Sequence, residues 1–524
     1  MTGRVYLGVD VGTLSARAGL VDDRGHMIAS GAAPLDLRRP ADGHAVYAMD
    51  QIWQATVEAI RACTAAAPEA AGLVRGLAFD ATSSVQLDGL APALGFDVVC
   101  WMDHRGEALA RCIDATGHPY LDHLGGAISP EMHLPKLLWL KRHEPAAWER
   151  VTAVRDLCDA LAHRATASDV HSRCGLACKW PYLPAAAPPW QADLLAALDI
   201  ADLLQRGRLQ HAPLPVGAVH GRLLPAIAAA TGLEPGIPVA VGLIDAEAGA
   251  LGALGAGFAE RMNRCMALIG GTSSSMLAFA TDRRTIPGVW GPFRDALFDG
   301  TWMHEAGLTV AGAALDALLT HHPAGPGAAG GANHAAVVAD IEAALAAEGP
   351  AFAWRRHLVP DWLGNRAPLG AGDVRALVAG AGPDTDRRSL LELYYATARA
   401  LALQTRHIVD HLNRHGYAID QVALAGGHRR NPLLVRLYAD ALGATLVDVD
   451  VAEPVLLGTA MVAAVAAGDF ADPFAALDAM APAQHPIHRD PHWAKAHDLA
   501  YAVYLDLFEA RNAAERRASA LTRL

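Results

Sequence analysis

The chain has 524 residues, with 43 Lys and Arg against 55 Asp and Glu for a formal net charge of −12. This acidic balance leaves no electrostatic footprint for nucleic acid or an anionic membrane, so neither partner is expected. No apolar run reaches the ~18 residues of a membrane span, and the length exceeds what one ordinary core accommodates.

Seven cysteines are an odd number scattered over half the chain, unlike a disulfide framework, and the sequence enters an apolar strand almost at once, without room for a leader. A cytoplasmic protein with free thiols is the expectation. Lys136, Lys141, Lys179 and Lys495 are the only lysines, and none follows a glycine, which excludes a Walker A loop.

In chain order, Val5 to Asp10 has the pattern of a buried strand, Gly12-Thr13 breaks it, and Ala16 to Val21 resumes a strand that turns at Asp22 to Gly25. The hairpin tip gathers Asp10, Gly12, Thr13, Ser15 and Arg17 around the room for one small anion. An ordinary hairpin with a glycine turn reads equally well. Gln51 to Ala65 has the spacing of a helix packed on a sheet, and Val74 to Asp80 is a strand ending in the polar sequence DATSS, either a ligand edge or a solvated loop.

WMDHRG (101–106) is read as a helix start, where Asp103 serves either a salt bridge or a ligand. PKLLWLKR is a helix. In CGLACKW, Cys174 and Cys178 one turn apart read as packed free thiols, and Lys179 is either a snorkelling cation or a donor to hydroxyls. The strand Val239 to Ile244 delivers Asp245 to the start of a small-residue helix, where a cap alone would explain it. The run AEAGALGALGAGFAE suits a hinge or a helix packed tightly against the sheet equally.

Met266 to Met276, MALIGGTSSSM, repeats the first hairpin: Gly271-Thr272-x-Ser274 matches Gly12-Thr13-x-Ser15 residue for residue. Two copies in two halves predict a duplicated α/β domain, 1–258 and 259–524, with the two tips facing across a cleft that holds a nucleotide. Trp302 to Gly307 is a strand carrying Glu305, a helix cap or a ligand. Gly325-x-Gly327-x-x-Gly330 lacks the flanking strand of a dinucleotide fingerprint, so 321–334 is expected to be a flexible loop. A long helix over 390–412, a strand over 421–425, a turn at Gly426-Gly427, the helix NPLLVRLYADALG, a small-residue helix opened by Gly458 and an amphipathic helix over 498–516 complete the chain.

The motifs GVDVGTLSARAGLVD, GLAFDATSSVQLDG, WMDHRGEAL, PKLLWLK, CGLACKW, GLIDAEAGALG, IGGTSSSM, PGVWGP, WLGNRAPLG and AGGHRRNPLL, in this order, resemble the FGGY carbohydrate kinases, and among them the pentulose kinases of the D-ribulokinase type. The resemblance covers nearly the whole chain. It implies two actin-like (ribonuclease H-like) domains with the active site in the cleft between them, and ATP and Mg²⁺ as cofactors. It further implies Asp245 as catalytic base, Asp10 as the Mg²⁺ residue, and Ala81, Thr82, Asp103, Lys179 and Glu305 beside the sugar. Gly12, Thr13, Gly271, Thr272, Gly427 and Asn431 would contact the nucleotide, and WLGNRAPL resembles a loop near the nucleotide cleft. The implied reaction phosphorylates the terminal hydroxyl of a ketopentose, D-ribulose first, with L-ribulose, xylulose or a pentitol such as ribitol as alternatives. A non-catalytic sugar or nucleotide sensor is the rival of another class, though a sensor has no need of a base. Dimers are frequent in the family, so a homodimer is expected on the resemblance alone.

Overall fold

Alternating apolar residues before and after Gly12 to Leu14 give an antiparallel pair, β1 (Val5–Val11) and β2 (Ser15–Asp22), continued by β3 (Met27–Pro34). The computed structural model describes residues 3–519 and 521; the outermost residues of the two expected halves, 1–2, 520 and 522–524, lie outside the described residues. After α1 (Met49–Ala66), which buries its Ile52, Ala59, Ile60 and Cys63 stripe, β4 (Val74–Ala81) runs parallel to β1. Its register places Asp80 directly opposite Asp10. Then come α2 (Leu157–Thr166), α3 (Arg173–Lys179), β5 (Val219–Arg222), β6 (Pro238–Ala240), β7 (Leu243–Ile244) and α4 (Asp245–Ala253). The strands form a seven-stranded sheet of order β3-β2-β1-β4-β6-β5, with β7 also paired to β4.

The second half repeats this plan. The strands β8 (Cys265–Gly270), β9 (Ser274–Ala280), β10 (Trp290–Arg294) and β11 (Trp302–Leu308) precede α5 (Gly312–His321) and α6 (Arg387–Arg414). Beyond them lie β12 (Gln421–Gly426), α7 (Pro432–Ala441), β13 (Thr445–Val449), α8 (Pro454–Ala466) and β14 (Gln484–Ile487). The second sheet also has seven strands, ordered β10-β11-β9-β8-β12-β13-β14. Antiparallel strands, three in the first sheet and four in the second, lead into parallel ones, and β8 pairs with β9 and β12 as β1 pairs with β2 and β4.

Helices α4 and α8 cross between the two sheets. A Cβ on Gly252 would fall 1.9 Å from the Pro454 carbonyl oxygen, and one on Gly458 2.0 Å from that of Ala248, so both positions require glycine for backbone approach. Close packing of helix on helix therefore accounts for the small-residue run after Asp245. Although α8 follows the second sheet in sequence, it lies on the first: Cβ atoms on Gly8 and Gly76 would meet the Leu456 and Ala463 oxygens at 2.5 and 2.2 Å. One hydrophobic core consequently takes Tyr6 and Ala78 from the first sheet and Ala267, Leu277 and Ala423 from the second, with Leu251 and Met461 between them.

Several local expectations need correction. Residues 101–106 are a turn, and the helix starts only at Glu107, because Asp103 folds its carboxylate back onto Arg105. Gly458 lies inside α8 rather than opening it, since Pro454 supplies the first-turn position that needs no amide donor. The last residues of the 321–334 loop belong to a helix, Gly331–Glu348, whose His334 bridges Asp316 and the Tyr394 hydroxyl. Among the described residues no helix is long and apolar enough to cross a membrane.

Candidate active site

Three carboxylates converge where β1, β4 and β7 end. Asp10 and Asp80 are register partners on adjacent strands, Leu243 is the partner of Asp80 on its other side, and Asp245 begins α4 one residue past β7. Asp10 and Asp80 are buried. Burial raises the Asp245 carboxyl to about 6, the Asp10 charge adds to the rise, and the Ala246 amide, donating to Oδ1 at 2.9 Å, opposes it. Asp80 is driven well above the usual carboxylate range by burial and by Asp10, even though the Thr459 hydroxyl of α8 donates to it. Arg17 ion-pairs with Asp10 and, at 2.8 Å, with Glu453. It is a partner of carboxylates here rather than an open anion donor.

Asp10 Oδ2 is held in the ion pair with Arg17, while Asp10 Oδ1 and Asp80 Oδ1 are buried without a hydrogen-bond partner. Buried, unpartnered carboxylate oxygens that repel one another are the donor set that a hard divalent cation takes. The residues present fit Mg²⁺.

Beside this cluster the two halves meet through ion pairs of opposite polarity. Lys179, at the end of α3, donates to Glu305 of β11 at 2.8 Å, and Arg366 donates to Glu131 at 2.9 Å. Both cations lie on the Trp290 indole, at 4.7 and 5.1 Å from its centroid. Burial disfavours the Lys179 ammonium, but the facing Glu305 and Glu247 charges outweigh it and hold its affinity for the proton above the ordinary lysine value. The loop WLGNRAPL delivers Arg366 to the group around Glu131, Glu305 and Asp245. Within the first half, buried Lys136 donates to the Trp101 and Glu131 carbonyls at 2.7 and 2.9 Å, which ties down the segment that carries Glu131.

Ala81 ends β4 beside Ile244 and Val11, and the Thr82 amide donates to the Val11 oxygen at 3.0 Å while its hydroxyl pairs with that of Ser84 at 2.9 Å. Asp103 is committed elsewhere: its carboxylate accepts from Arg105 in bidentate fashion and from the Ala45 amide, with no surface exposed. It holds a loop rather than offering a free oxygen to a sugar.

At both hairpin tips the glycine is not demanded by the fold. A Cβ on Gly12 would meet nothing closer than 3.6 Å and one on Gly271 nothing closer than 3.8 Å, each on backbone that any residue adopts. Thr13 accepts from the Trp101 indole at 3.0 Å, and the Thr272 oxygen accepts from the Ala311 amide at 2.8 Å, which fixes the two loops. The Gly271 oxygen accepts from Gly312 at 3.0 Å and pairs with His428, whose burial holds it neutral, near 4. Gly426 has φ +85° and a Cβ there would lie 2.6 Å from the Gly270 oxygen, whereas one on Gly427 would meet the flexible tip of Arg430 at 3.3 Å and no backbone atom closer than 3.6 Å. The Asn431 side chain caps α7 by accepting from the Leu433 and Leu434 amides and donates to the Tyr394 hydroxyl. Its polar atoms are used within the protein, and it shapes the turn rather than presenting a free amide.

The sequence reading did not single out Asp80, Glu131, Glu247 or Arg366. Asp80 was available in the DATSS strand end, but Glu131 and Arg366 lie 235 residues apart and only the fold pairs them.

Two sheets of one plan, each with a strand-Gly-Thr-strand hairpin, helices crossed between them, and three carboxylates at the strand ends of the first define a phosphotransferase with two actin-like domains. Residues 5–252 match the N-terminal domain model of the FGGY family of carbohydrate kinases and residues 266–467 its C-terminal domain model. The chain belongs to the FGGY family of carbohydrate kinases, which makes it an ATP-dependent sugar kinase. It is 34% identical to a human FGGY carbohydrate kinase domain-containing protein, over 97% of this chain and 96% of that one. It is 30% identical to a D-ribulokinase of Saccharomyces cerevisiae, over 89% of this chain and 72% of that one. The crystal structure of a xylulose kinase from Rhodospirillum rubrum superimposes with a TM-score of 0.80 at 24% identity, covering 98% of this chain and all (100%) of that one, a likeness of fold.

Proposed function

We propose that this kinase transfers the γ-phosphoryl group of ATP to the terminal hydroxyl of a ketopentose, with D-ribulose as preferred substrate and D-ribulose 5-phosphate as product. The observation that carries the reading is Asp245, a half-buried carboxyl raised to about 6 beside the Lys179–Glu305 pair and the Asp10–Asp80 cluster. A base of that strength is ionised at neutral pH yet avid enough for the proton of an attacking hydroxyl. Lys179 and Glu305 bind and orient the sugar hydroxyls, with Ala81 and Thr82 at the edge of the pocket. The amides at Gly12-Thr13 and Gly271-Thr272 stabilise the phosphoryl oxygens, and the open space above both glycines suits approach by a phosphate. Gly427 borders the nucleoside in this reading.

Asp10, with Asp80 beside it, would hold Mg²⁺. When bound, the ion neutralises phosphate charge and relieves the repulsion between the two carboxylates. Choice of D-ribulose is supported by the identity to the yeast D-ribulokinase, and ribulokinases at 26 to 28% identity support ribulose more broadly, with L-ribulose as the second reading from the motif resemblance. Residues 1–258 and 259–524 are taken as the sugar-side and nucleotide-side halves, with α8 exchanged onto the first sheet, acting in the cytoplasm as a homodimer. ADP release measured over a panel of D-ribulose, L-ribulose, the xyluloses and ribitol tests the substrate. A kcat/KM for any other sugar above that for D-ribulose overturns the preference.

A further inference from the structure

Behind the sugar lysine lies a cluster that the kinase reaction does not use. Cys174 and Cys178 are four residues apart on α3, so their sulfurs share one helix face, and α4 brings Glu247 against them. All three residues are buried, Glu247 with no surface exposed at all. We propose that Cys174 Sγ, Cys178 Sγ and the Glu247 carboxylate form a site for one thiophilic divalent cation of the Zn²⁺ or Cd²⁺ kind.

Three observations support it. The ligand atoms lie within 4.8 Å of one another, and Cys178 Sγ is 3.5 Å from Glu247 Oε1. In a tetrahedral zinc site, bond lengths of ~2.3 Å to sulfur and ~2.0 Å to oxygen give sulfur–oxygen edges of about 3.5 Å and sulfur–sulfur edges of about 3.8 Å. The side chains need little movement to reach that shape. Second, Glu247 Oε2 is buried without a hydrogen-bond partner, although such an atom is costly to leave unpaired. A cation would complete it. Third, the two sulfurs have the i, i+4 spacing by which a single helix turn chelates a metal, with the third ligand from a neighbouring helix.

Ligand softness sets the selectivity, since two thiolates favour Zn²⁺ or Cd²⁺ and give Mg²⁺ nothing it prefers. Charge also fits: two thiolates and a carboxylate around a dication leave one net negative charge, next to the Lys179 ammonium. Because Lys179 directly follows Cys178, metal at this site fixes the end of α3 and with it the Lys179–Glu305 pair. The site is therefore separate from the phosphate end of the cleft but coupled to the sugar end.

The test is titration of the full-length protein, stripped with a chelator, with Co²⁺ alone and Cd²⁺ alone. One equivalent should bind with a sulfur-to-metal charge-transfer absorption, undisturbed by excess Mg²⁺. Cys174→Ser and Cys178→Ser should each weaken binding at least about tenfold and diminish the band, while Glu247→Gln weakens binding and keeps it. Cys112→Ser, at the exposed thiol, should change nothing. Absence of the band in the parent protein, its survival in the Cys174→Ser/Cys178→Ser double variant, or its loss in Cys112→Ser overturns the proposal. Should the core variants fail to fold, cadmium-113 resonance of the parent decides, because a shift typical of oxygen ligands alone rejects the site.

Discussion

Lys179 and Glu305, 126 residues apart and from opposite halves of the chain, meet at 2.8 Å beside the Trp290 indole. Both are buried, so each depends on the other for charge compensation. Removing one partner of a buried pair typically costs ~3–5 kcal/mol, because the survivor is left charged and dry. Lys179→Met and Glu305→Gln should each lower the denaturation midpoint, and the double variant should lose less than the two single losses added. Purely additive losses in that cycle would show that the pair is not a coupled unit.

The same pair supplies a kinetic expectation. If Lys179 binds the sugar as proposed, Lys179→Met should raise KM for the pentulose by at least about tenfold while KM for ATP changes less than about threefold. Equal increases in both constants would remove Lys179 from the sugar site.

Asp245→Asn keeps the shape of the side chain and its bond from the Ala246 amide but cannot accept a proton. Turnover should fall by about 10² to 10⁴ with sugar and ATP binding retained. Calorimetric titration alongside the ADP assay separates the two, and turnover within about tenfold of the parent would reject Asp245 as base.

The acid limb follows from the same residue. A carboxyl raised to about 6 is protonated, and useless as a base, below that pH, so activity should rise with pH and level off above it. Mg²⁺ held at Asp10, as proposed, would remove part of the neighbouring negative charge and move the inflection to 6 or lower. A kcat/KM profile at saturating ATP and Mg²⁺ checks the sign; an inflection above 7, or none, contradicts the assignment.

Glycines at the hairpin tips and at the helix crossing should respond in opposite ways. Gly12→Ala and Gly271→Ala meet no protein atom within 3.5 Å, so thermal stability should be kept while ATP affinity falls. Gly252→Ala would place its methyl 1.9 Å from the Pro454 oxygen and should destabilise the protein by more than ~2 kcal/mol. If the tip variants bind ATP as the parent does, the phosphate-loop reading fails for that tip.

How much of this was legible beforehand depended on whether the signal was local. The strand-Gly-Thr-strand repeat, β1–β2 and β8–β9, is written in alternating apolar residues and one glycine, and local pattern suffices to form such hairpins. The position of Asp245 at a strand end was readable for the same reason. Local pattern left open which partner a side chain takes: Asp103, read as either a salt bridge or a ligand, turns back to Arg105, and Asn431, which the resemblance put at the nucleotide, caps its own helix. Neither commitment can be told from ligand binding by residue type.

Sequence alone, then, determined the duplicated hairpins, the strand ends that carry Asp10, Asp80 and Asp245, and the family these motifs resemble. Tertiary structure decided what those groups experience. Burial and the facing Asp10 raise Asp245, and both act through neighbours distant in sequence. Cross-cleft pairing of Lys179 with Glu305 and Glu131 with Arg366 was equally invisible, because a salt bridge leaves no periodicity in the chain. So was the exchange of α8 onto the first sheet, which is fixed by backbone approach at Gly8, Gly76 and Gly252, where only the absence of a Cβ allows the helices and strands to touch.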